Sequence, residues 1–166
     1  MQKKLKRTLL RIARLFNESN ITWGIGGSAL LDLQRIPVEV HDLDIMVRQV
    51  DFMRAYQILD NLGVEHPKQA HFKFRTQLFR TYEIETCQVD LMSGMTILWH
   101  DQWHEFIFTK DHIGQVLEVD GVVLFLMKLD DWYQLYHWLD RPEKIRILEE
   151  YAHKVGLDLS QPYLES

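Results

Sequence analysis

The chain has 166 residues, 46% of them hydrophobic, and a formal net charge of −5. That length suits one domain with a real core, and the acidic balance argues against general nucleic-acid binding, which needs a basic face. A lone cysteine, Cys87, excludes an internal disulfide and fits a reducing cytoplasm.

Residues 3–17 place Leu5, Leu9, Ile12 and Phe16 at helical spacing, with basic residues elsewhere around the wheel. The plain reading is a surface helix laying an apolar stripe on the domain, ahead of any nucleic-acid or membrane role. The segment superficially resembles a signal peptide, but Arg11 and Arg14 interrupt its apolar part and no small-residue cleavage site follows. The longest uncharged apolar run, Val122 to Met127, is far too short to cross a bilayer. The expectation is a cytoplasmic protein that does not engage a membrane.

A short apolar run, Ile21 to Ile25, precedes Gly26-Gly27-Ser28 and a helix-like run to Gln34. Glycines let the backbone approach a ligand closely. Ser28 is a natural N-cap, and free N–H groups at a helix start suit phosphate. Arg35-Ile36-Pro37 stops that helix, since a residue before proline avoids the α region. Arg35 either touches a phosphate or is solvated.

Asp42-Leu43-Asp44-Ile45-Met46-Val47 then reads as a strand. Alternation puts Asp42 and Asp44 on one face, about 7 Å apart, and Leu43 and Ile45 in the core. Unneutralised, the two carboxylates would repel each other; at this spacing they can converge on a hard cation. His41 falls on the opposite face of a regular strand, which suits a structural or outer role.

Residues 51–62 predict a helix with Phe52, Ala55, Tyr56, Leu59 and Leu62 on one stripe, closed by Gly63. Residues 71–92 alternate like strands, and Phe72, Phe74, Tyr82 and Ile84 suggest a hairpin turning near Thr76-Gln77. The last strand of the set, Thr86 to Met92, carries Asp90, while Glu83 and Glu85 read as exposed and Gly94 as a break. Cys87 reads as a buried strand residue.

Residues 96–119 are the least legible. His100 and His104 have the spacing of zinc ligands on a helix, but no acid stands where a metalloprotease would carry one, so aromatic packing with surface histidines is preferred. Val116 to Met127, with Asp120-Gly121 as its turn, reads as a tight hairpin. Two helices follow, Leu129 to Leu139 and Pro142 to Val155, with proline at a helix start. Residues from Gly156 read as a loose tail.

Gly-Gly-Ser followed after thirteen residues by Asp-Leu-Asp on a hydrophobic strand resembles the nucleotidyltransferase fold superfamily, also called DNA polymerase β-like. The likeness is to its small bacterial branch of lincosamide and aminoglycoside nucleotidyltransferases and abortive-infection toxins. It covers roughly residues 20–150, with Val119-Asp120-Gly121-Val122, Leu129-Asp130-Asp131 and Arg141-Pro142 as later matching pieces. The resemblance implies an α+β fold, a mixed β-sheet packed by helices and followed by C-terminal helices. Residues 1–166 would form one such domain, with a core of about 18–127 and a helical part of about 128–155.

By the same resemblance Asp42, Asp44 and Asp90 are catalytic and hold Mg²⁺ or Mn²⁺. Gly26, Gly27, Ser28, Arg35 and Lys128 bind the nucleoside triphosphate, taken as ATP. Its implied activity is transfer of a nucleoside monophosphate to an acceptor hydroxyl with release of pyrophosphate, the acceptor being a small molecule or a protein. The open face of so small a domain leaves room for a homodimer or a protein partner. One departure stands out: a family lysine and a later acid are replaced by Tyr136 and Lys144. That departure motivates an alternative, an inactive nucleotide-binding or protein-interaction module of toxin–antitoxin type.

Overall fold

The computed structural model describes residues 1–159. Nine strands and five helices follow in chain order: α1 Lys3–Glu18, β1 Trp23–Gly26, α2 Gly27–Leu33, β2 Asp42–Val47, α3 Phe52–Asp60, β3 Val64–His66, β4 Phe79–Ile84, β5 Cys87–Met92, β6 Gly94–Trp99, β7 Gln102–Ile107, β8 Ile113–Val119, β9 Val122–Met127, α4 Leu129–Trp138 and α5 Pro142–Val155. Seven strands form one mixed sheet in the order β3-β4-β5-β2-β1-β9-β8, and β6 and β7 pair separately. Among the described residues no helix is long and apolar enough to cross a membrane.

The amphipathic stripe of α1 buries Leu5, Leu9, Ile12 and Phe16 as its spacing predicts, and the helix lies over β9, β2 and β5. Beneath it Thr8 Oγ1 donates to Cys87 Sγ at 3.6 Å, which fixes the odd-numbered residues of β5 (Cys87, Val89, Leu91) on the core face. Asp90 therefore points to the other face. The same alternation buries Leu43 and Ile45 of β2 and turns Asp42 and Asp44 away from the core.

Several boundaries differ from the sequence reading. The first helix after the glycines begins at Gly27 itself, so Ser28 lies inside its first turn, and the N-cap, Gly26, makes no side-chain cap bond. The helix expected over 51–62 covers Phe52–Asp60 and is preceded by a 3₁₀ turn at Gln49–Asp51. Asp51 shapes that turn: 1% exposed, it accepts from Thr22 N at 3.1 Å and Arg48 Nε at 2.9 Å, and also from Arg54.

The hairpin does not turn near Thr76-Gln77. Phe72 and Phe74 lie in a loop that makes one isolated bridge, Phe74 to Ile97, and their alternation records no buried face because both rings are exposed. The observed hairpin joins β4 to β5 through Glu85-Thr86. Gly94 is no break but the first residue of β6. The opaque stretch holds a hairpin, β6–β7, turning at His100-Asp101. His100 is thus a turn residue and His104 a strand residue, so the helical spacing on which a zinc reading depends is absent. Of the tail read from Gly156, residues 156–158 are exposed and Leu159 is buried, with Leu157 N donating to Ala152 O at 2.8 Å; its remainder, 160–166, lies outside the described residues.

Candidate active site

Strand register builds the site. Asp44 on β2 stands opposite Asp90 on the parallel neighbour β5, Gly26 on β1 stands opposite Asp44 on its other side, and Thr81 on β4 stands opposite Asp90. Gly26, Asp44, Asp90 and Thr81 thus form one row across four strands, and Asp42 lies two residues before Asp44 on the same face. Carboxylate oxygens of Asp42, Asp44 and Asp90 all lie within 4.8 Å of one another. Each of the three residues is half-buried.

Packing explains why this row begins with glycines. A Cβ on Gly26 would meet the Trp132 ring at 2.2 Å, and one on Gly27 would meet Asp44 Oδ2 at 2.1 Å. Gly27 also has a φ of +59°, a conformation that side-chain-bearing residues adopt only with strain. The first turn of α2 therefore opens against the carboxylates, where its unpaired N–H groups lie. Trp132, on α4, is held from below by Met127, whose Sδ accepts from its indole Nε1 at 3.3 Å.

The electrostatics follow from burial. Asp44 has a carboxyl pushed well above its ordinary 3.8, first by burial and then by repulsion from Asp42 and Asp90, with Arg141 opposing. Burial also raises Asp42, against the pull of His41, Lys144 and Arg141. Asp90 is raised by burial and by Asp42, though Thr81 Oγ1 donates to it at 2.8 Å and Gln88 Nε2 at 3.3 Å. Three crowded acids held above their usual range are a pre-formed demand for positive charge. Among the described residues the group that converges here offers hard carboxylate oxygens, which suit Mg²⁺ or Mn²⁺.

A cleft of about 980 Å³ runs past this row. Its lining includes His41, Asp44, Asp90 and Arg141, together with Lys68, His71 and Phe74 from the loop after β3. Arg141 was not singled out as a site residue by sequence reasoning, yet its charge acts on Asp42, Asp44 and Tyr136. Tyr136 is 4% exposed, and its Oη has no hydrogen-bond partner among the described residues. Its phenol is pushed up by burial and by Asp44 and Asp42.

The remaining expected residues divide. Gly26, Gly27 and Ser28 stand at the carboxylates. Arg35 is exposed just after α2, and Lys128 is exposed at the start of α4, where its backbone N–H bonds His112 O; neither lines the cleft. Glu83 and Glu85 are exposed as expected, Glu85 pairing with Arg7 and Arg11 of α1. His100 stacks on Trp99 and His104 lies against Trp138. Among the described residues the three aspartates are the metal-capable group.

No family model and no curated protein matches the sequence. Solved structures do match the fold. A Thermotoga maritima protein assigned as a nucleotidyltransferase (TM1012) is 22% identical, with 93% of this chain and 96% of that chain covered and a TM-score of 0.71. The antibiotic-resistance factor ANT(2″)-Ia, solved with adenylyl-2″-tobramycin, is 15% identical over 89% of this chain and 88% of its own, with a TM-score of 0.60. The lincosamide antibiotic adenylyltransferase LnuA, solved with lincomycin, is 14% identical over 79% and 84%, with a TM-score of 0.52. The chain has the nucleotidyltransferase fold.

Proposed function

We propose that the protein is a nucleotidyltransferase that moves a nucleoside monophosphate from a nucleoside triphosphate, ATP, to an acceptor hydroxyl and releases pyrophosphate. The convergence of Asp42, Asp44 and Asp90 within 4.8 Å at the edge of a cleft carries this reading. A structural neighbour that is an adenylyltransferase by name, LnuA, supports it.

Asp42 and Asp44 would hold a divalent cation, with Asp90 completing a second position. Bound there, Mg²⁺ or Mn²⁺ supplies Lewis-acid polarisation and neutralises triphosphate charge. The protein's own groups do the rest. Backbone N–H groups of the Gly26-Gly27-Ser28 turn face the departing phosphates. Arg141 and Lys144, both felt electrostatically by Asp42, add positive charge on the α5 side. Arg141 lines the cleft, whereas Lys144, Arg35 and Lys128 lie outside its lining.

Asp90 is steadied by Thr81 and Gln88 and held above its usual range, so it is suited to take the acceptor proton. As that proton leaves, the acceptor oxygen bonds to the α-phosphorus and the bond to the β-phosphate oxygen breaks. The test is release of pyrophosphate from Mg-ATP across an acceptor panel, comparing wild type with Asp44→Asn. Turnover by wild type alone supports the reading; equal turnover by the variant overturns it.

A further inference from the structure

Between Glu65 and Glu83 the chain holds no acidic residue, and the interval carries Lys68, Lys73, Arg75 and Arg80 together with His66 and His71. In a chain of net charge −5 this is a local reversal of sign. On α1, Lys6, Arg7 and Arg11 are matched by Asp120 and Glu85. Of the lysines and arginines in the 66–82 interval Arg80 alone is matched, by Glu65 at 3.1 Å, and His66 lies 3.4 Å from Glu83. Among the described residues no carboxylate lies within 4.0 Å of Lys68, Lys73 or Arg75. Lys73 lies over Phe72 and Arg75 over Trp103, while Lys68, over Phe79, also donates to Thr76 O.

Aromatic rings are interleaved with these cations. His71 stacks on Phe72 at 5.1 Å between centroids and 16° between planes, and lies 5.0 Å from Phe74. Phe72 is 76% exposed and Phe74 38%. Burial of apolar rings is the rule, so a row this open is available to a partner. The loop is nevertheless anchored: Arg75 N donates to Thr96 O at 3.0 Å and Leu98 N to Lys73 O at 2.9 Å, which ties it to β6. Its inner residues, Lys68, His71 and Phe74, line the same cleft as Asp44 and Asp90.

We infer that this wall binds a single-stranded nucleic acid and leads its terminal hydroxyl to the carboxylates, making a polynucleotide end the acceptor. The inference rests on the nucleotidyltransferase reading and names its substrate class. Unmatched cations draw in backbone phosphates, and open rings stack bases with little sequence preference. A polyamine acceptor such as tobramycin would instead meet like charge at Lys68, Lys73 and Arg75. The chain is acidic overall, yet this interval gathers Lys73 and Arg75 on the same loop as Lys68, which lines the cleft. The transfer balances as proposed above, the terminal hydroxyl losing its proton to Asp90 as its oxygen bonds to the α-phosphorus and pyrophosphate leaves.

The test is fluorescence anisotropy of an end-labelled single-stranded oligoribonucleotide of about ten nucleotides, within the range of single-strand site sizes. Wild type should bind with a log–log salt slope of about −2, as expected for three neutralised phosphates. Lys73→Glu combined with Arg75→Glu should weaken binding at least tenfold and flatten that slope. Phe72→Ala, which changes no charge, should weaken it roughly tenfold through lost stacking. All three side chains are exposed, so the thermal midpoint should not move. Mg-ATP binding without oligonucleotide binding, undiminished binding by both variants, or competition by inorganic tripolyphosphate as strong as by unlabelled oligonucleotide would overturn the inference alone. Normal oligonucleotide binding with no nucleotide transfer to any acceptor would instead overturn the enzymatic reading and leave the binding surface standing.

Discussion

Gly27 stands so close to Asp44 that a β-carbon on the glycine would lie 2.1 Å from the aspartate's Oδ2. Its φ of +59° adds a second reason for the absence of a side chain. Gly27→Ala should therefore cost about 1–2 kcal/mol from left-handed strain and displace the Asp44 carboxylate as well. Nucleotide transfer should fall by far more than the stability loss explains. Urea unfolding and turnover measured together check this; full activity in a destabilised variant would contradict it.

The three carboxylates should make the metal-free protein lose stability as pH rises above 3.8. Asp44, Asp42 and Asp90 all have folded values raised above 3.8, chiefly by burial. The folded state then holds protons more tightly than the unfolded chain, so stability falls as pH rises from 3.8 through the raised values. Asp44→Asn removes the most strongly raised of them. In chelator, its unfolding free energy should exceed that of wild type near neutrality and vary less across that window. Parallel stability–pH curves for the two proteins would contradict the crowding described here.

Divalent cations should reverse the same penalty. A ligand that binds only the folded state adds about 2.7 kcal/mol at a hundred times its dissociation constant, or roughly 5–10 °C for a chain of this size. Mg²⁺ or Mn²⁺ should raise the wild-type thermal midpoint on that scale and leave Asp44→Asn nearly unmoved. Differential scanning fluorimetry with and without metal provides the comparison.

Asp51 behaves in the opposite sense. Burial pushes its carboxyl up, but hydrogen bonds from Arg48, Arg54 and Thr22 outweigh that and hold it below 3.8. Its contribution is complete above 3.8 and is lost as pH falls through the lowered folded value. Asp51→Ala leaves the Thr22 N–H without its partner and frees two arginines, which should cost about 2–3 kcal/mol. Chemical denaturation at pH 7 measures it.

What the sequence disclosed depended on whether a feature was local. Asp42 and Asp44 share a face because of strand alternation alone, and α1 follows from its apolar spacing; both are readable from one segment. Three hairpins turn through two residues of positive φ, at Glu85-Thr86, His100-Asp101 and Asp120-Gly121. Only the last carries the Asp-Gly signature such turns favour, and only that turn was located in advance. Phe72 and Phe74 misled because alternation in an exposed loop imitates a strand. The Asp44–Asp90 pairing and the support of Thr81 depend on register between distant strands, which no single segment encodes. Arg141 was visible only as part of the Arg141-Pro142 match, with nothing local to aim it at the carboxylates.

The most direct measurement is an anomalous-scattering map from crystals grown with Mn²⁺ and a non-hydrolysable ATP analogue. The account predicts a manganese peak ligated by Asp42, Asp44 and Asp90, with the triphosphate running from it toward Gly26-Gly27-Ser28. A triphosphate bound elsewhere, or manganese absent from that corner at saturating concentration, would contradict it.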